Sequence, residues 1–97
     1  MLRSMRHYDN CAYCGAYGRM TKEHVVPHCY GGIVKIWVCS ECNNRRGHSG
    51  KYPLFLKWLE SHENTFRRAV KESTDPLQTD RWLELEGLNK YRLKLRF

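Results

Sequence analysis

The spacing of apolar residues divides the chain into two unlike halves. In the second half they recur at helical intervals. Leu54, Phe55, Trp58, Leu59, Phe66, Ala69 and Val70 form a stripe with a period of about 3.6 residues. Lys57, Glu60, Glu63, Arg67, Lys71 and Glu72 take the opposite side, and Pro53 suits a first helical position. A helix is predicted over 53–72. Ser73–Asp75 interrupt it, and Pro76 follows a plausible cap at Asp75. A second helix is predicted over 77–88, through Leu77, Trp82, Leu85 and Leu88. Tyr91, Leu93, Leu95 and Phe97 then alternate with Arg92, Lys94 and Arg96, the period of a strand. A helix continuing past Gly87 is the alternative.

The first half has shorter signals. Residues 1–10 read as a basic arm. Residues 20–26 form a candidate strand, ended by Pro27, which has no N–H to give a ladder. Residues 28–32 read as a loop closed by Gly31 and Gly32. Residues 33–38, β-branched and aromatic, form a second strand. The two would pair as a hairpin across a loop of roughly six residues. A short helix is predicted over 40–46, ended by Gly47, Ser49 and Gly50. The mixture predicts an α+β fold. The chain shows no repeat and no low-complexity segment.

Composition narrows the picture. The 97 residues fit a single domain, 1–97. Its core is modest, and small domains often need a metal or disulfide staple. The net charge of +7 favours an anionic partner, nucleic acid ahead of acidic lipid. A hydrophobic content of 41% excludes a disordered tail. No apolar run approaches the roughly 20 residues of a membrane span, so no membrane role is expected. Met1–Asn10 is basic and polar, which predicts no signal peptide and an intracellular, cytoplasmic chain with reduced thiols.

Five cysteines in such a chain point to metal before disulfides. Cys11/Cys14 and Cys39/Cys42 are two Cys-x-x-Cys pairs. Each pair can aim two sulfurs at one ion, and together they complete a tetrahedral structural zinc site. Cys29 is left over and reads as a small loop or core residue.

Between the pairs runs Lys22-Glu23-His24-Val25-Val26-Pro27, and after the second comes Asn43-Asn44-Arg45-Arg46-Gly47-His48. A metal on the cysteines would fix both segments, bringing a carboxylate, an imidazole and an amide together. Glu23 and His24 are adjacent on a strand and point to opposite faces, so sharing one site requires a twist or a strand end.

Taken in order, Cys-x-x-Cys-Gly, Glu-His-Val-Val-Pro, Gly-Gly and Cys-x-x-Cys-Asn-x-x-Arg-Gly resemble the zinc-stapled HNH (His-Me finger) endonucleases. The resemblance covers about 11–48. It implies a ββα-metal unit there, with amphipathic helices over 53–97 as an extension. It implies His24 as general base, with Glu23 and Asn43 holding a catalytic Mg²⁺ or Mn²⁺. His48 joins as a further ligand only if the helix ends near Gly47. Phosphate contacts would come from Arg45, Arg46, Lys22 and Lys35. The implied substrate is DNA rather than RNA, and double-strand cleavage would need two active sites or a homodimer. Two departures stand out. Glu23 replaces the usual Asp, and Val34 stands where an Asn normally braces the loop behind the histidine.

Plainer readings compete. His24 could be a hydrogen-bonded core residue and Asn43 a helix cap. His28 reads as a solvated loop residue, and His7 and His62 as incidental. A non-catalytic zinc module that binds nucleic acid explains the cysteines and the charge, but not Glu-His before Pro27. A zinc-built protein-interaction domain, using the aromatic helix, is a third reading.

Overall fold

Strand β2 (Tyr17–His24) is the centre of a three-stranded sheet, flanked by β1 (His7–Asn10) and β3 (Lys35–Val38). The structure is a computed structural model that describes residues 6–93. Both pairings are antiparallel. His7 faces Met20 on one side of β2, and Lys22 faces Trp37 on the other. The hairpin expected in this half is present, although β2 starts at Tyr17 and ends at His24. The connection 25–34 is longer than expected. The Val25 N–H still donates to Val34 O at 2.9 Å, but the chain then enters a 3-10 turn at His28–Tyr30.

The basic arm read over 1–10 needs a correction where the structure describes it: His7–Asn10 is an edge strand, and 1–5 lie outside the described residues. The His7 ring stacks on Trp37 of β3, with centroids 4.0 Å apart and planes 12° from parallel. The first cysteine pair lies in the β1–β2 turn, where the Cys11 N–H donates to Ala16 O at 2.9 Å. The second opens α1 (Ser40–Arg46), the helix predicted there.

The helix predicted over 53–72 is two helices, α2 (Pro53–Ser61) and α3 (Glu63–Lys71). His62 breaks it. Its backbone (φ −132°, ψ 39°) leaves the helical region. Its Nδ1 lies 2.9 Å from Trp58 O, the carbonyl its own N–H would take in a continuous helix. Its ring stacks on Trp58, with centroids 5.0 Å apart. The apolar stripe hides the break, because Leu59 and Phe66 stay in phase across it.

Helix α4 (Pro76–Leu85) starts at the expected cap, where Asp75 Oδ1 accepts the Gln78 N–H at 3.2 Å. Its buried face is Thr79, Trp82 and Leu83, whereas Leu77 and Leu85 are exposed. Tyr91 lies in a 3-10 turn (Asn89–Tyr91) and not in a strand. Arg92 and Leu93 are likewise in no strand, and 94–97 lie outside the described residues.

The helices pack Phe55, Phe66 and Trp82 into the core, with ring centroids 5.9 and 6.3 Å apart. Val25, Val26 and Val38 of the hairpin complete it. Among the described residues, no helix is long and apolar enough to cross a membrane.

Gly32 is held by backbone proximity. A Cβ there would collide with the Val26 carbonyl. Gly32→Ala is expected to lower the unfolding free energy by about 2–3 kcal/mol. Gly18→Ala, which meets nothing within 4 Å, should change it by less than about 0.5 kcal/mol. Urea denaturation of both variants checks this.

Candidate metal centre and active-site cleft

The β1–β2 turn and the start of α1 bring Cys11, Cys14, Cys39 and Cys42 together, all four sulfurs within 4.8 Å of one another. Cys14 Sγ and Cys39 Sγ are 3.8 Å apart. A tetrahedron with metal–sulfur bonds of about 2.3 Å has an edge of about 3.8 Å. The Tyr13 and Cys14 N–H groups donate to Cys11 Sγ at 3.4 Å, and the Cys42 N–H to Cys39 Sγ at 3.5 Å. Burial pushes the Cys11 thiol up, but the N–H groups of Cys14, Cys39 and Tyr13 outweigh it and bring it to about 7. Four thiols so placed can hold a metal ion. Cys29 stands outside the cluster.

A second site opens where β2 ends. A cleft of about 430 Å³ lies between the 25–34 connection and the end of α1. Glu23, His24, Pro27, His28 and Cys29 line one wall; Asn43, Asn44, Gly47 and His48 line the other. Glu23 and His24 both reach it because the strand stops at His24. Burial, then the charges of Lys35 and His28, hold the His24 imidazole below the usual histidine range. His24 is therefore mostly neutral near pH 7 and able to accept a proton. The His28 ring meets it edge-on, with centroids 5.2 Å apart.

Asn43 is fixed by its own amide. Its Nδ2 donates to Thr21 Oγ1 at 3.0 Å and to Lys22 O at 3.3 Å. No hydrogen bond among the described residues takes up its Oδ1. Helix α1 then stops at Gly47, whose φ of 54° lies in the left-handed region. The reversal returns His48 to the cleft, with Nδ1 3.1 Å from Cys29 Sγ. The condition that the sequence set for His48, a helix ending at Gly47, is met.

Arg46 requires a correction. The sequence assigned it to phosphate, but its side chain is 0% exposed. Nη1 donates to Tyr13 Oη at 2.8 Å, to His24 O at 3.0 Å and to Glu23 Oε2 at 3.4 Å. Nη2 donates to Val25 O at 2.7 Å, and Nε to Ser49 O at 3.1 Å. The guanidinium also lies 3.8 Å from the centre of the Phe55 ring. With every direction engaged, it cannot reach an external phosphate. It braces the backbone at His24 and Val25. Glu23 is correspondingly buried. Burial raises its carboxyl above the ordinary range, opposed by the nearby Arg46 charge.

Of the other basic candidates, Arg45 is exposed and pairs with Glu41 at 2.9 Å. Lys22 and Lys35 are exposed on the sheet.

The C-terminal helices support both walls. Thr79 Oγ1 donates to Tyr30 O at 2.7 Å, and Ser73 Oγ to Gly31 O at 3.1 Å. On the other wall, Trp82 Nε1 donates to His48 O at 2.8 Å. The sequence missed these supports and the place of Cys29 and His28 in the cleft. Gly47 directly before His48 was a usable signal; side-chain bonds to distant carbonyls leave none.

Comparison with family models, curated proteins and solved structures gives no match for this chain.

Removing the Arg46 side chain strands Glu23 and three carbonyls. Arg46→Ala is expected to cost about 3–5 kcal/mol. Arg46→Lys should recover little of this, because an ammonium cannot reproduce the guanidinium fork. Arg45→Ala, on an exposed pair, should stay within about 0.5 kcal/mol of the parent. Denaturant titrations compare the three.

Proposed function

We propose that this protein is a metal-dependent HNH-type endonuclease that hydrolyses DNA phosphodiester bonds. One observation carries the reading: Glu23 and His24 at the end of β2 and Asn43 in α1 line a single cleft. In this reading β2, β3 and α1 are the ββα-metal unit, and the four cysteines hold a structural Zn²⁺. The thiol donor set and its N–H hydrogen bonds support that ion.

His24 takes the proton of the attacking water, a role its neutral imidazole suits. Glu23 and Asn43 would hold the catalytic cation through oxygens, with His48 as a third candidate. Asn43 Oδ1 is uncommitted, and the Arg46 bond engages only one oxygen of Glu23. Oxygen donors of this kind fit Mg²⁺ or Mn²⁺. Such a cation, when bound, stabilises the charge that develops on the phosphate and the departing oxygen. The Glu23–Arg46 pair favours a second reading, a zinc module that binds nucleic acid without cutting it, since it gives Glu23 a structural task.

Supercoiled plasmid with Mg²⁺ or Mn²⁺ separates the two. Wild type is expected to nick or cut it, and His24→Ala to lose about 10²-fold or more in rate while keeping its circular dichroism. Equal rates for the two proteins overturn the nuclease.

Metal analysis of the same preparation is expected to find about one zinc per chain. Stripping it should unfold the hairpin and abolish cutting even with Mg²⁺ present. Native structure and activity after verified zinc loss would defeat the structural role.

A further inference from the structure

We infer that the open face of the sheet is a subsite that stacks an unpaired nucleotide of the DNA strand flanking the cleft. The inference rests on the nuclease reading only for where the scissile phosphate lies. Its own support is the register of the sheet. His24 faces Lys35, Lys22 faces Trp37, and Met20 faces His7. Directly opposed residues share a face, as do alternate residues along one strand. The face that presents His24 therefore continues through Lys35 and Lys22 to Trp37 and His7. The four residues from His24 back to Met20 span about 14 Å, a distance of only a few nucleotides.

The far end of this row is built for a base. Arg6, His7, Met20, Lys22 and Trp37 border a notch of about 520 Å³. That is within the roughly 300–1,000 Å³ of small-ligand pockets. Met20, buried, gives it an apolar floor. The stacked rings of His7 and Trp37 give it an aromatic wall. Asp9 Oδ2, 3.3 Å from His7 Nε2, steadies the imidazole. Lys22 Nζ lies over the Trp37 ring, 5.6 Å from its centre, so a cation borders the aromatic surface and a base entering the notch takes its place on the ring. Among the described residues, none that lines the notch is acidic.

An aromatic wall beside cations is the chemistry of single-strand recognition. The base stacks, and the ammonium meets the phosphate. A base inside a duplex offers only its edges and has no free ring face for the notch. The exposed cations of the face, Lys22 and Lys35, thus lead the strand from the notch to His24. The substrate class that follows is DNA with an unpaired segment beside the cut: a flap, a bubble or a single-strand junction.

The test uses the full chain, without divalent cations so that nothing is cut. Fluorescence anisotropy measures binding of a labelled single-stranded oligodeoxynucleotide and of the closed duplex of the same sequence. Trp37→Leu and Lys22→Glu are each expected to weaken single-strand binding about tenfold, and duplex binding less than threefold. Trp37→Phe keeps an aromatic ring and should bind the single strand within threefold of the parent. It should also lose the quenching of tryptophan fluorescence that the single strand causes in the parent. Lys22→Glu alters only an exposed side chain, so it stays decisive if Trp37→Leu fails to fold. Unchanged single-strand affinity, equal weakening for both ligands, or quenching that survives in Trp37→Phe overturns the subsite. The plasmid assay is independent. His24-dependent cleavage with unaltered single-strand binding in the variants sinks the subsite alone. Single-strand-selective binding that responds to the variants, without cleavage, sustains the subsite and sinks the nuclease.

Discussion

One guanidinium, removed from water, ties together the elements that shape the cleft. A buried cation is tolerated only where charge and hydrogen bonds satisfy it from all sides. Arg46 meets that demand with Tyr13 from the first cysteine turn, Glu23, His24 and Val25 from the end of β2, Ser49 beyond α1, and the Phe55 ring of α2. None of these can shift without leaving charge or a carbonyl unpaired. The end of the central strand is therefore locked to the end of α1, and the cleft is the space left between them.

The cysteine cluster and Arg46 act on opposite ends of the same helix. Cys39 and Cys42 bring the start of α1 beside the β1–β2 turn, where a metal ion would tie the two, and Arg46 fixes its last turn against β2. Asn43 lies between, with its amide already bound to the strand. A helix of seven residues has little stability of its own, so these tertiary ties set its direction. The result is an asparagine and a histidine held on facing walls by different means.

What the sequence disclosed follows from how local each cause is. The second hairpin, α1, the Asp75 cap and the cysteine pairing rest on neighbouring residues or fixed spacings, and these were readable. The break at His62 was hidden because the apolar stripe continues in phase across it, while the cause is a ring nitrogen that occupies a carbonyl. Residues 7–10 look like a polar arm because an edge strand need bury little, and the ring that His7 stacks on, Trp37, lies on β3, far along the chain. Glu23, His24, Asn43 and His48 could be named in advance, but His28, Cys29 and the fate of Arg46 could not. Two adjacent arginines, Arg45 and Arg46, look alike in sequence. They differ because one faces water and the other faces five acceptors, four of them from distant parts of the chain.

The 3-10 turn at His28–Tyr30 buries none of its residues. The loop that carries this turn is held from outside by Thr79 and Ser73, and by the Thr74 N–H, which donates to Gly31 O at 2.9 Å. The His28–Gly31 part of that wall is consequently tied to the α3–α4 junction. In a hierarchy of partial openings, the loop belongs with α4 and not with the cysteine cluster nearer to it in sequence. Loosening of α4 would release Tyr30 and, through Trp82, His48, while the thiols stayed together. The positions of Tyr30 and His48 are thus set in part by a helix that lends no residue to the cleft's lining.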